Sequence, residues 1–142
     1  MNDASNPAAG RWPRWLKWPL ILLALAGLGV FLWQALPRGA YPTDLSRVGA
    51  GRPVLVLVHD THYVGGAEVM ELMNGIRGEH AERVDFLVAH MAMADAQAFA
   101  ARHAARDGTV LLFAADGRRV GVVHMPQSAD ELRRALALAF GR

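Results

Sequence analysis

The chain has 142 residues, 53% of them hydrophobic and 20% charged, which is the size and composition of one globular domain with little to spare. It contains no cysteine, which excludes disulfide bonds, a thiol nucleophile, cysteine-ligated zinc and dithiol redox chemistry. The formal net charge is +2, yet residues 37–142 carry 12 arginines against 12 acidic residues. This balance over most of the chain argues against a nucleic-acid partner.

The N-terminal part of the chain is a basic segment followed by an apolar one. Residues 1–17 carry Arg11, Arg14 and Lys17 and are predicted to form a basic cytoplasmic tail. Residues 18–36 contain no charged side chain, and 19 helical residues nearly span a hydrocarbon core about 30 Å thick. Tryptophans near both ends are typical of a membrane interface. The pattern predicts one transmembrane helix over residues 18–36.

Two alternatives for this apolar segment are a cleaved signal peptide and a buried helix of a soluble domain. No cleavage site with small residues at the required positions follows the segment. A helix buried in a soluble domain is seldom apolar on all sides. The compact basic cluster before the segment favours a cytoplasmic N terminus. We therefore expect a single-pass protein of the inner (cytoplasmic) membrane, with its C-terminal domain in the periplasm.

After this segment the pattern becomes one of alternating strands and helices. Residues 37–52 are predicted to be a linker and a short helix capped by Thr43. The run Val54–His59 is apolar without alternation, which is typical of a central strand covered on both faces. The remaining elements are predicted as strands over 84–90, 109–114 and 120–124 and helices over 67–77, 95–105 and 128–140.

Two local motifs support the last part of this pattern. Asp116–Gly117 predicts a tight hairpin turn between the last two strands. Ser128 and Glu131 have the spacing of a capping box at the start of the last helix. The resulting order β-α-β-α-β-β-α predicts an α/β fold, a three-layer sandwich over residues 53–142.

Several segments of this region resemble the thioredoxin-like superfamily. Arg52–Val58 (RPVLVLV) is similar to the first central strand of that family, and Val84–Ala89 is similar to the next strand. Thr109–Phe113, followed by the turn at Asp116, is similar to the family's last hairpin. The resemblance covers residues 43–142 and implies a thioredoxin-like domain in a membrane-anchored member that lacks the Cys-x-x-Cys motif.

The same resemblance locates the positions of the family's redox motif. The Trp-Cys-x-x-Cys sequence corresponds to residues 62–66, where His62 precedes Tyr63 and Gly66 at the two cysteine positions. Gly108 stands where the family has a cis-proline. Because disulfide exchange needs a thiolate, the resemblance implies a redox-inactive domain, and we expect no enzymatic activity and no cofactor.

The main functional hypothesis is a protein-binding or assembly module at the outer face of the membrane. Active members of the family hold extended peptides beside the cis-proline. The resemblance therefore implies partner binding by Tyr63, Val64, Gly108 and Thr109, the last two through a backbone β-edge contact.

The alternative hypothesis is the handling of copper or zinc in the periplasm. His59, His90 and His124 each end a predicted strand, and in the resembled fold these strands run parallel, so that the three residues share one edge with His62. Imidazole with thioether sulfur suits copper, and imidazole with carboxylate suits zinc. The competing interpretation is that these are ordinary polar residues at strand ends and that the nearby methionines fill the core.

Overall fold

The computed structural model describes residues 14–35 and 39–141, with side chains described over 17–32 and 39–141. The elements are, in chain order, α1 (Arg14–Ala35), a short 3-10 helix η1 (Leu45–Arg47), β1 (Val54–His59), α2 (Gly65–His80), β2 (Asp85–His90), α3 (Ala94–Arg102), β3 (Thr109–Phe113), β4 (Arg119–His124) and α4 (Ala129–Phe140). Helix α1 belongs to one compact unit, and the residues from Ala40 onward form a second.

Helix α1 contains 22 residues, and all its described side chains are exposed. Within the described residues, which include only part of the segment 18–36 predicted to span a membrane, no helix is long and apolar enough to cross one. Most of the predicted basic tail (1–13) and residues 36–38 lie outside the described residues.

The second unit is built on a four-stranded sheet with the order β2-β1-β3-β4. Strand β1 pairs in parallel with β2 and antiparallel with β3, and β4 is antiparallel to β3. Strands β1, β2 and β4 therefore point the same way, and their C-terminal ends lie at the same edge of the sheet. Every residue of β1 is buried, which confirms the prediction of a central strand.

Helices cover both faces of this sheet. On one face Leu55 of β1 lies in a core cluster with Met73 of α2 and Leu132 of α4. On the other face Val56 of β1 clusters with Phe99 of α3. Because successive side chains of a strand point to opposite faces, one central strand supplies both cores. The result is the predicted α/β/α sandwich, with the predicted order of elements.

The first turn of α4 shows the predicted cap by Ser128, but the return hydrogen bond of Glu131 goes to the residue before the cap and not to the cap itself. Ser128 Oγ accepts the backbone N–H of Glu131 at 3.2 Å, and Glu131 Oε2 accepts the N–H of Gln127 at 2.9 Å. Gly141, with φ of +73°, follows the last helical residue.

Three of the predicted helices have wrong boundaries. The short helix is a 3-10 turn capped by Asp44 and not by Thr43, because Asp44 Oδ1 accepts the N–H of Ser46 at 3.1 Å. Helix α2 begins at Gly65, two residues earlier than predicted, and continues to His80. Helix α3 ends at Arg102, before Ala104, whose φ of +51° is incompatible with a right-handed helix.

Candidate functional site at one edge of the sheet

The C-terminal ends of the parallel strands bring the predicted site residues to one edge. In the register of the sheet, His59 of β1 is paired with His90 of β2, and Thr109 of β3 is paired with His124 of β4. The loop that follows β1 starts with Asp60 and includes His62 and Tyr63, whereas Gly66 lies in the first turn of α2. The shared edge expected for the three strand-end histidines is therefore present.

Two of the histidines at this edge contact each other, and the other two have partners of their own. The rings of His59 and His90 meet edge to face with centroids 5.3 Å apart. His62 Nδ1 lies 2.8 Å from Asp60 Oδ1, and His124 Nδ1 lies 3.4 Å from a threonine hydroxyl.

Metal binding needs several donors around one centre. In the part of the chain that the structure describes, no group of three histidine, cysteine, aspartate or glutamate side chains is placed to hold a metal ion. The geometry thus gives no support to a copper or zinc site formed by His59, His62, His90 and His124. These residues share one edge of the sheet, but their ring nitrogens do not surround a common position for an ion.

Asp107, which the sequence did not single out, connects three segments of this edge. Its side chain is 11% exposed. One carboxylate oxygen, Oδ1, accepts the N–H of Asp60 at 2.8 Å, and the other, Oδ2, accepts the N–H of Gly66 at 2.8 Å. The carboxylate therefore joins the loop after β1, the first turn of α2 and the turn before β3.

Asp107 also caps the start of α2, which has no side-chain cap of its own. The residue that precedes the helix is Val64, whose side chain cannot cap the free N–H groups of the first turn. A negative charge at a helix N terminus is also favoured by the helix dipole. A carboxylate from a distant part of the chain thus replaces a local cap, and this could not be inferred from residues next to the helix.

His59 is the buried neighbour of this carboxylate. The residue is 8% exposed, and its Nδ1 atom lies 3.4 Å from Asp107 Oδ1. This separation is within range of electrostatic attraction, but the alignment does not satisfy a hydrogen bond, and Nδ1 has no hydrogen-bond partner among the described residues.

Gly66 is the position where this packing leaves no room for a side chain. A Cβ atom at Gly66 would overlap both His59 Nδ1 and Asp107 Oδ1. Since any residue other than glycine carries a Cβ, the close approach of α2 to these two side chains requires glycine here.

Gly108 is fixed in the turn before β3. It adopts φ of +77°, its N–H donates to the carbonyl of Val58 at 2.9 Å, and its carbonyl accepts the N–H of Met125 at 3.1 Å. The N–H of Thr109 donates to the carbonyl of Arg106 at 3.0 Å. These three backbone groups have partners within the chain, so the β-edge contact predicted for Gly108 and Thr109 would require hydrogen bonds of the folded domain to open.

His59, Gly66 and Asp107 form a packed centre at this edge. An open groove of about 600 Å³ lies beside it. Its walls are mainly apolar and are formed by Tyr63, Val64, Gly65, Met91, Ala105 and Met125, with Asp60, Arg106 and Asp107 as the polar members. Tyr63 and Val64 are adjacent and are 64% and 76% exposed, so the two side chains together present apolar surface at the groove. Both residues were predicted to contact a partner.

Asp60 provides a fixed negative charge at the groove. The N–H of His62 donates to its Oδ1 atom at 3.0 Å, and the imidazole of the same residue lies 2.8 Å away. The backbone hydrogen bond, followed by the side-chain one, lowers the pKa of the Asp60 carboxyl below its ordinary value. The loop after β1 is thereby held in one shape at the entrance to α2.

Comparison with known proteins gives a likeness in structure and none in sequence. No family model matches the chain, and no curated protein matches it. Among solved structures, an uncharacterized thioredoxin-like protein from Clostridium perfringens matches with a TM-score of 0.62 at 12% identity, over 70% of this chain and 80% of that one.

Two further solved structures are named as thioredoxins. The protein from Thermus thermophilus has a TM-score of 0.57 at 19% identity and covers 68% of this chain and 82% of its own. Thioredoxin Mala s 13 from Malassezia sympodialis has a TM-score of 0.58 at 16% identity, over 73% and 94% of the two chains. The fold is thioredoxin-like.

The thioredoxin-like fold allows Gly66 to be compared with the redox motif of thioredoxins. Gly66 corresponds, in the resemblance drawn from the sequence, to the second cysteine of the redox motif. Here the side-chain space next to that position holds the His59 and Asp107 side chains. The chain contains no cysteine, so the dithiol chemistry of thioredoxins has no reactants in it.

Proposed function

We propose that this chain is a redox-inactive thioredoxin-like module that binds an extended apolar segment of a partner protein. The observation that carries the proposal is the open apolar groove beside Tyr63 and Val64, next to the close packing of His59 and Asp107 against Gly66. The module binds without a chemical step, because the chain has no thiol and the residues present cannot exchange disulfides.

The character of the groove favours a protein segment as its ligand. Val64 is 76% exposed and stands at the start of α2, so burial against a partner would remove its apolar surface from water. The flexible thioethers of Met91 and Met125 line the groove and can adapt to side chains of different shape. With the backbone of Gly108 already paired, recognition rests on the side chains of the groove and not on an added β-strand.

The packed centre holds the backbone beside the groove in place. Asp107 holds the loop after β1 and the first turn of α2 through hydrogen bonds of 2.8 Å to each. Tyr63 and Val64 lie between these two fixed points. A surface that is ordered before binding loses less conformational entropy when the partner arrives.

We also propose that the N-terminal segment holds the domain at a membrane, with the domain on the periplasmic side of the inner membrane. The support is the uncharged segment 18–36 behind a basic cluster, together with the exposed leucines of α1 such as Leu23. A periplasm-dependent reporter fused after Arg142 is expected to be active. Activity of a cytoplasm-dependent reporter would reverse the orientation, and recovery of the chain in the soluble fraction would remove the membrane.

The binding function is tested by quantitative co-purification with matched surface variants. Val64→Asp puts a charge into the groove, whereas Leu138→Asp puts the same charge on α4, where Leu138 is 89% exposed and outside the groove. We expect Val64→Asp to reduce partner recovery about tenfold and Leu138→Asp to leave it unchanged. Equal recovery with both variants contradicts the proposal.

A further inference from the structure

The methionines are the side chains that a peroxide would oxidise in this cysteine-free chain. Thioethers follow thiols in susceptibility to peroxide, and no thiol is present to compete. Met73 is fully buried in the core, whereas Met93 and Met125 are 44% and 40% exposed. Both exposed methionines lie at the edge that carries the groove, but their surroundings differ.

The thioether of Met125 rests on two glycines. A Cβ atom at Gly65 would come within 2.7 Å of Met125 Cε and 3.0 Å of Sδ. A Cβ atom at Gly108 would overlap the sulfur. The sulfur is therefore in close contact with backbone on two sides, and any atom added to it on those sides meets main chain.

The backbone of Met125 is held in a conformation that such residues rarely adopt. Its φ is +47°, in the left-handed region that costs a side-chain-bearing residue about 1 kcal/mol or more. Two hydrogen bonds hold it: its N–H donates to Gly108 at 3.1 Å, and its carbonyl accepts from Gln127 Nε2 at 2.7 Å. The packing of the thioether on the glycines helps to offset this strain.

We propose that Met125 is an oxidation site for hydroperoxides, and that its oxidation opens the groove. In the reaction a lone pair of Sδ attacks one peroxide oxygen, the O–O bond breaks, and the thioether becomes a sulfoxide. The peroxide is reduced: the oxygen that joins the sulfur loses its proton, and the second oxygen gains one through solvent and leaves as water from hydrogen peroxide or as an alcohol from an alkyl hydroperoxide.

The sulfoxide cannot keep the position of the thioether. Its added oxygen is polar and needs space, whereas the seat on Gly65 and Gly108 is closely packed. When the side chain leaves this seat, the left-handed backbone of Met125 loses the packing that offsets its strain. The hydrogen bond from its N–H to Gly108 then opens, and the groove loses one wall.

Met93 is the matched comparison within the same molecule. It is exposed to a similar degree, but its φ of −101° is unstrained, and it does not line the groove. Met125→Leu and Met93→Leu each remove one thioether while keeping an apolar side chain of similar volume, which usually costs less than about 1.5 kcal/mol. Each variant therefore leaves one of the two sites to be oxidised.

The test is hydrogen exchange of the purified 142-residue chain before and after hydrogen peroxide, with oxidation of each methionine measured by mass spectrometry. In the wild type and in Met93→Leu we expect Met125 to be oxidised and exchange in the peptide 119–125 to become about tenfold faster. In Met125→Leu we expect peroxide to leave that exchange unchanged. Treatment with methionine sulfoxide reductases and dithiothreitol should restore the slow exchange.

Two results would overturn the inference. One is a Met125 that stays a thioether when Met93 is fully oxidised. The other is oxidation of Met125 without faster exchange in the peptide 119–125. Neither measurement needs a binding partner, so the outcome is independent of the proposed binding function.

Discussion

Asp107 Oδ2 accepts the backbone N–H of Gly66 at 2.8 Å, so that a carboxylate before β3 caps a helix that begins more than forty residues earlier in the chain. Its other oxygen accepts the N–H of Asp60 at 2.8 Å. A Cβ atom at Gly66 would overlap the same carboxylate. One residue thus holds both the loop after β1 and the first turn of α2, which border the groove.

Replacement of Asp107 tests this relationship by stability. Asp107→Ala leaves the N–H groups of Asp60 and Gly66 without their acceptor and is expected to lower the free energy of unfolding by about 2–4 kcal/mol in urea denaturation. Asp107→Asn retains an acceptor oxygen and should cost less. Asp130→Ala, at a carboxylate with an 80% exposed side chain, is the control and should cost less than about 1 kcal/mol. Equal decreases in the free energy of unfolding for Asp107→Ala and Asp130→Ala would show that the hydrogen bonds of Asp107 do not stabilise the domain more than an exposed carboxylate does.

Two glycines of α2 should respond in opposite directions to the same substitution. Gly66→Ala places a Cβ against His59 and Asp107 and is expected to destabilise the domain by about 1–3 kcal/mol. Gly75→Ala meets no atom within 4 Å and should stabilise it by about 0.5–1 kcal/mol through helix propensity. Thermal unfolding of the two variants provides the comparison. A stabilised Gly66→Ala protein would mean that the side chains of His59 and Asp107 move aside at little cost in free energy.

His103 should make stability depend on pH near neutrality. Its ring lies between Phe99 and Phe113, with centroid separations of 4.7 and 5.1 Å. Burial first, then the charges of Arg119 and Arg102, lowers the pKa of His103 below its ordinary 6.5. The unfolded chain therefore binds the proton more readily than the folded one.

The resulting stability is complete above pH 6.5 and is lost as the pH falls towards the lower pKa of the folded state. Urea midpoints measured from pH 8 to pH 5 should show this loss. His103→Gln should reduce it. An NMR titration that places the pKa of His103 at or above 6.5 would contradict the assignment.

Copper and zinc should leave the melting temperature unchanged. Two of the histidines at the edge contact each other, the other two have partners of their own, and the described residues contain no group of three suitable donors. A site in the folded domain would add about 2.7 kcal/mol at a metal concentration one hundred times its dissociation constant. A metal-dependent rise in melting temperature that is absent from the His90→Ala, His124→Ala double variant would restore the metal-handling hypothesis.

The sequence was most informative where a local pattern determines the structure. The uninterrupted apolar run Val54–His59 predicted the central strand with its observed bounds, and the spacing of Ser128 and Glu131 predicted the cap of α4. The parallel directions of three strands then brought His59, His90 and His124 to one edge. These features depend on neighbours in sequence or on the order of elements.

The contacts that define the site depend on residues far apart in the chain, and local patterns could not predict them. Asp107 resembles an ordinary turn residue before Gly108 until the fold places it at the start of α2. The requirement for glycine at position 66 arises from two side chains of other segments. An aspartate followed by glycine at the start of a strand is the one weak signal that marked this turn as special.

The most direct test of the binding claim is site-specific photo-crosslinking in cells. A benzophenone amino acid replaces either Tyr63 in the groove, where the side chain is 64% exposed, or Leu138 on α4 as the matched control. The account predicts a light-dependent adduct with a partner protein from position 63, lost when Val64→Asp is added, and none of that adduct from position 138. No adduct at position 63, or the same adduct from both positions, would contradict the claim that this groove binds a protein segment.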